Sequence, residues 1–93
     1  MRTTGAMLAK KLGISPTRGM EAIMKAQLIS AVLKRIATTR LTHDQVAKRS
    51  GLPRSAVTGI LSGSLQKVTI DRVLRLVDAV GLVAEVKVRR AAA

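Results

Sequence analysis

THDQVAKRSGLPRSAVTGILSG, residues 42–63, reads as two short helices joined by a tight turn. Thr42 and Gln45 stand at the spacing of a capping box, the hydroxyl serving one orphan N–H and the amide serving another. Leu41 and Val46 occupy the two positions of a hydrophobic staple. Asp44 lies in the first turn, where the helix dipole favours negative charge. Val46 and Ala47 give a narrow apolar contact, and the small residue at 47 lets a second helix cross closely. Gly51 is the residue expected where the chain must take a positive φ and turn. The next helix is expected to start near Pro53, whose ring suits a first helical position. Val57, Ile60 and Leu61 then fall at i, i+3, i+4, which buries one face and leaves Arg54, Ser55, Thr58 and Gly59 on the others. Gly63 is the expected stop.

Upstream, Leu28, Ile29, Val32, Leu33 and Ile36 form a stripe at helical spacing, with Lys25, Gln27, Lys34, Arg35 and Thr38 facing away. Ser15-Pro16 or Gly19 opens that helix. Ile23 and Met24 extend the stripe or touch a partner. Residues 1–18 are read as an N-terminal arm or short helix. There, AKKLGISPTR resembles AKRSGLPRSA at an offset of 38, either by chance or as a decayed second copy. As an arm, it would offer Arg2, Lys10 and Lys11 to phosphates.

Downstream, SLQKV forms a loop, and Thr69 caps a further helix with Val68 and Val73 as its staple. Ile70, Val73, Leu74, Val77 and Val80 make its buried stripe, and Gly81 ends it. Leu76 lies off that stripe, as scattered surface or as a subunit contact. In LVAEVKVRR the period changes to two: Leu82, Ala84, Val86 and Val88 alternate with Val83, Glu85, Lys87 and Arg89, a strand pattern. One strand cannot satisfy its own backbone. Pairing with the same strand of a second copy about a two-fold axis is the simplest solution. The alternatives are packing against the N-terminal segment, or a frayed tail.

Composition bounds the rest. Ninety-three residues allow one small domain, with 47% apolar residues and no Phe, Trp or Tyr, so aliphatic side chains must fill the core. Seventeen Lys and Arg against five acids give a net charge of +12, a surplus that points to a polyanionic partner. With no cysteine, disulfides and thiolate metal sites are excluded. One histidine and five scattered acids offer no nucleophile–base–orienter set, and no phosphate-binding GxxxxGK[ST] loop is present, so no catalytic residue, metal or cofactor is expected. No apolar run approaches the ~18 residues of a membrane span, and no secretory h-region opens the chain. A cytoplasmic, nucleoid-associated protein is the expectation.

The run LTHDQVAKRSGLPRSAVTGILSG resembles the helix-turn-helix of the Xre / lambda-repressor-like family. KAQLISAVLKRI resembles that family's first helix, VTIDRVLRLVDAVG its next core helix, and VAEVKVRR the strand-forming end of small HigA-like antitoxins. The resemblance covers about Lys25 to Arg90. It implies a mainly α, lambda-repressor-like helical bundle in residues 19–82, with a C-terminal strand and tail in 83–93 pairing across a dimer. By match to the motif, Arg54, Ser55, Thr58 and Gly59 occupy the base-reading positions. Gly59 departs from the longer side chains common there, and Pro53 from the usual Ser or Thr cap. His43, Lys48, Arg49, Ser64, Gln66 and Lys67 are candidate phosphate contacts, each with an alternative reading as plain surface. Leu76, Val83, Ala84, Val86 and Val88 are candidate dimerisation residues. The implied partners are double-stranded DNA, a second copy of the chain and, in the narrower case, a cognate toxin, with no membrane. The expected function is a dimeric repressor on a pseudo-palindromic operator. The alternatives are an autorepressing antitoxin and a non-specific nucleic-acid binder.

Overall fold

Ser15 caps the first helix, its Oγ accepting from the Arg18 N–H at 3.3 Å, and Pro16 fills the first helical position. This helix, α1, runs Pro16–Thr39; the computed structural model describes residues 15–92. Among the described residues it is the first of four: α2 spans His43–Ser50, α3 Arg54–Leu61 and α4 Ile70–Ala79. The readings that fall on Arg2, Lys10 and Lys11 lie outside the described residues. α1 ends on Arg40, a left-handed residue at φ 57° that donates its N–H to the Ile36 carbonyl at 2.7 Å. A side chain there meets the Cβ crowding that glycine avoids.

The remaining helix ends follow the capping chemistry of the sequence. Thr42 and Gln45 make both bonds of the capping box, at 3.1 and 2.9 Å. Gly51 closes α2 at φ 74°. Ser50 is buried beside it, and its hydroxyl donates to the Ala47 carbonyl while accepting from the Leu52 N–H, which fixes the turn. α3 and α4 end in the same double-bonded motif. Gly63 and Ser64 donate to Ile60 and Gly59, and Gly81 and Leu82 donate to Asp78 and Val77. Thr69 caps α4 through the Arg72 N–H at 3.3 Å. Pro53 differs from the expectation. At φ −61° and ψ 147° it precedes the helix as its cap residue, with no side-chain cap bond, and Arg54 is the first helical residue.

The core is wholly aliphatic. Ile29 and Val32 of α1, Val46 of α2, Leu52 of the turn, Val57, Ile60 and Leu61 of α3, and Val73, Leu76, Val77, Ala79 and Val80 around α4 form one cluster. α4 packs against both α1 and α2, and α2 packs against α3. This arrangement corrects three sequence readings. Leu76 is fully buried, because a helix with neighbours on two sides buries a wider arc than one stripe; it is a core residue and has no surface for a subunit contact. Leu33 and Leu74, assigned to buried stripes, are exposed by 43% and 42%. Lys25, assigned to the outer face, is buried, with its Nζ 2.7 Å from Glu21 Oε1 and donating to the Leu65 carbonyl at 3.4 Å.

Beyond Leu82 no backbone hydrogen bond forms among the described residues, and the alternating tail makes no strand there. Val83, Val86 and Val88 are more than four-fifths exposed. Ala84, Glu85 and Val86 border a shallow cleft of about 220 Å³ with Met24, Gln27, Leu28, Ile70 and Leu74.

Candidate nucleic-acid interface

α3 owes its position to its apolar side. Val57, Ile60 and Leu61 are sunk in the core, and Ala47 of α2 packs at its edge, so the helix is held as a rod along the surface. The opposite side carries Arg54, Ser55 and Thr58, all exposed, with half-buried Gly59 beside them. Arg54 and Thr58 lie four residues apart, hence one above the other on one face. A methyl group built on Gly59 would meet nothing within 4 Å, so neither packing nor backbone angle demands glycine at that position.

The first turn of α2 abuts this face. The Asp44 carboxylate stands 3.3 Å from the Arg54 guanidinium, with both side chains about two-thirds exposed. Arg54 also donates to the second carboxylate oxygen at 3.4 Å. His43 Nδ1 lies 3.0 Å from Thr58 Oγ1. Neither contact was legible in the sequence. Residues 10 and 15 positions apart across a turn obey no helical spacing, and only the crossing of α2 over α3 brings them together.

The candidate phosphate-contact residues lie on α2 and on the loop that follows α3. Lys48 and Arg49 are exposed in the last turn of α2, where cations also complement the helix dipole. Ser64, Gln66 and Lys67 are exposed on the loop that follows α3, around a concavity of about 430 Å³. The Lys25 ammonium, holding the Leu65 carbonyl from beneath, anchors that loop to α1. His43 is half-buried and turned toward Thr58. The five acids of the chain are Glu21, Asp44, Asp71, Asp78 and Glu85, so Asp44 is the single acid between residues 42 and 67.

Among the described residues, no group of three His, Cys, Asp or Glu side chains is placed to hold a metal ion. No helix there is long and apolar enough to cross a membrane. The surface offers an exposed helix flanked by hydrogen-bonding and cationic side chains, a geometry that fits the groove and ridges of a duplex. A family model described as a helix-turn-helix domain matches residues 8–89, beginning ahead of α1 and running into the tail. No curated protein and no solved structure matches the chain.

Proposed function

This chain belongs to the helix-turn-helix domain family, and we propose that it is a sequence-specific transcriptional repressor that occupies a pseudo-palindromic operator as a dimer. The observation that carries this is the exposed row Arg54, Ser55 and Thr58 on a helix anchored by its other side in the core. In this reading α3 enters the major groove. Arg54 donates to guanine O6 and N7, a contact worth roughly 1–3 kcal/mol of discrimination. Ser55 and Thr58 hydrogen-bond neighbouring base edges or phosphates, and Gly59 lets the backbone approach. Lys48, Arg49, Ser64, Gln66 and Lys67 hold the sugar–phosphate ridges, and His43 at the start of α2 supports them. These contacts set register and affinity but not sequence.

Dimerisation is assigned to the tail, Val83, Ala84, Val86 and Val88, through antiparallel pairing with the same segment of a second copy. Alternating valines, exposed and without a backbone partner among the described residues, support it. Two reading helices would then lie about one turn, ~34 Å, apart. Occupation of a promoter by such a dimer excludes polymerase, which is repression.

A second reading, an antitoxin that also neutralises a cognate toxin, is favoured by one observation. Met24 and Leu74 are exposed at the cleft by the tail, and Met20 stands exposed one helical turn before Met24, apolar surface that a protein partner would cover. Co-purification with the product of an adjacent gene tests it.

Titration of the chain against its own upstream DNA and against random duplex at rising salt tests the main proposal. A higher affinity for the upstream DNA that persists at high salt is the expected result. Equal affinity for both would leave a non-specific binder. Arg54→Ala should relax base preference, whereas Lys67→Ala should weaken all sequences alike and lower the salt slope.

A further inference from the structure

We propose that the first turn of α2 determines what α3 reads, with Asp44 as a positioning residue for Arg54 and His43 for Thr58; this rests on the DNA-binding reading above. The Asp44–Arg54 pair is exposed on both sides, and such a pair contributes little to stability. Its consequence is orientation. A guanidinium carries five N–H donors in a rigid fork. Asp44 engages one terminal nitrogen, Nη1, at 3.3 and 3.4 Å, which tethers that end of the fork and leaves the Nε and Nη2 donors outside the pair. An arginine held this way reaches guanine O6 and N7 with less side-chain entropy to lose.

The sign of the charge adds selectivity. Asp44 is the single acid among residues 42–67 of a chain with net charge +12. Beside a duplex its carboxylate is repelled by phosphates, and it restrains the adjacent arginine from binding them. Non-specific backbone binding is weakened more than a guanine contact made by the Nε and Nη2 donors, so the difference between right and wrong DNA widens.

His43 acts on the second reading position by hydrogen-bond accounting. At 3.0 Å, the imidazole Nδ1 either accepts the Thr58 hydroxyl proton or donates to the Thr58 oxygen. If Nδ1 accepts, Thr58 meets DNA as an acceptor, suited to adenine N6 or cytosine N4. If Nδ1 donates, Thr58 keeps its proton for guanine, adenine N7 or thymine O4. The ring therefore selects which base edges satisfy the hydroxyl.

The test uses the full chain and a pool of duplexes with a randomised centre. Wild-type protein should enrich a motif containing a guanine that Arg54→Ala no longer selects. Asp44→Asn should lower selection of that guanine roughly tenfold, while binding scrambled duplex more tightly than wild type. Asp44→Glu should keep the guanine, and His43→Ala should broaden a neighbouring position instead. Wild-type guanine selection together with wild-type affinity for scrambled duplex in Asp44→Asn overturns the inference. Should the amide variant fail to fold, Asp44→Ser, which restores a first-turn acceptor, carries the same comparison. If wild-type protein enriches no motif, the sequence-specific reading itself falls and takes this one with it, a result distinct from a motif that ignores residue 44.

Discussion

Leu76 and Lys25 are the two side chains whose environments depart furthest from their place in the sequence pattern. Leu76 is fully buried on the helix that packs against both α1 and α2. Leu76→Ala should therefore cost about 2–5 kcal/mol, from lost transfer energy and the cavity left behind. A chemical denaturation curve reads this directly; a loss below about 1 kcal/mol would place Leu76 at the surface after all. The stripe template missed it because that template assumes one neighbour per helix. Lys25 was missed because its charge was read and its stem was not: a lysine's methylenes can be buried where its ammonium finds polar partners, and here the residue is 5% exposed with Nζ on Glu21 and the Leu65 carbonyl. The hydrogen bond from Lys25, then its charge, hold the Glu21 carboxyl below its ordinary value of 4.5; desolvation opposes this, and the Arg18 charge adds a smaller lowering. A carboxyl depressed in the folded state contributes stability above its unfolded pKa and loses it as the pH falls through the folded value. Thermal midpoints should therefore fall more steeply on acidification below pH 4.5 in the wild type than in Glu21→Gln. The effect is small because the Glu21 side chain is 45% exposed. Parallel acid limbs for the two proteins would show that the pair does not persist in solution.

At the scale of elements, the helix-turn-helix was legible because its boundaries are chemical. A hydroxyl with an amide three residues on, and glycines at the sites of positive φ, specify ends without knowledge of packing. Thr42, Gly51, Gly63, Thr69 and Gly81 all act as the pattern requires. Pro53 shows the limit of such reasoning, since a proline suits the residue before a helix as well as the first one inside it. Gly59 provides a sharper test of what α3 is for. It sits mid-helix, where glycine is less favourable than alanine by roughly 0.5–1 kcal/mol. A Cβ there would meet nothing within 4 Å, so Gly59→Ala should stabilise the fold by about that amount. If α3 lies against a base edge, the same methyl should weaken DNA binding several-fold. Denaturation and a binding titration on one sample separate the two effects. A more stable protein with unchanged affinity would mean that no DNA backbone or base approaches this position.

For the whole molecule, the proposed function makes charge and tail one problem, which is how a small basic domain would gain affinity for one site over the excess of others. The charge of +12 was plain in the sequence and supplies attraction to any duplex. The alternation at residues 82–89 was plain too, but its partner was not, because a strand pattern specifies an edge and not the chain that pairs with it. Deleting residues 83–93 should leave the core intact, since Val83, Val86 and Val88 are 88%, 81% and 86% exposed and lie outside the aliphatic cluster. The thermal midpoint of the truncated chain should therefore stay close to that of a dissociated full chain. Its sedimentation should change from dimer to monomer. Its DNA binding should lose the gain that comes from joining two modules, typically 10²–10⁴ in affinity. The plot of log affinity against log salt carries independent information, because its slope counts phosphates neutralised at about −0.9 each. One module touches half the phosphates that two do, so the truncated chain should show close to half the slope of the full chain on the same duplex. A tail that merely frays predicts equal slopes and unchanged sedimentation. A tail that instead binds DNA through Lys87, Arg89 and Arg90 predicts a reduced slope with no change in mass, so the two measurements together identify which role the segment plays.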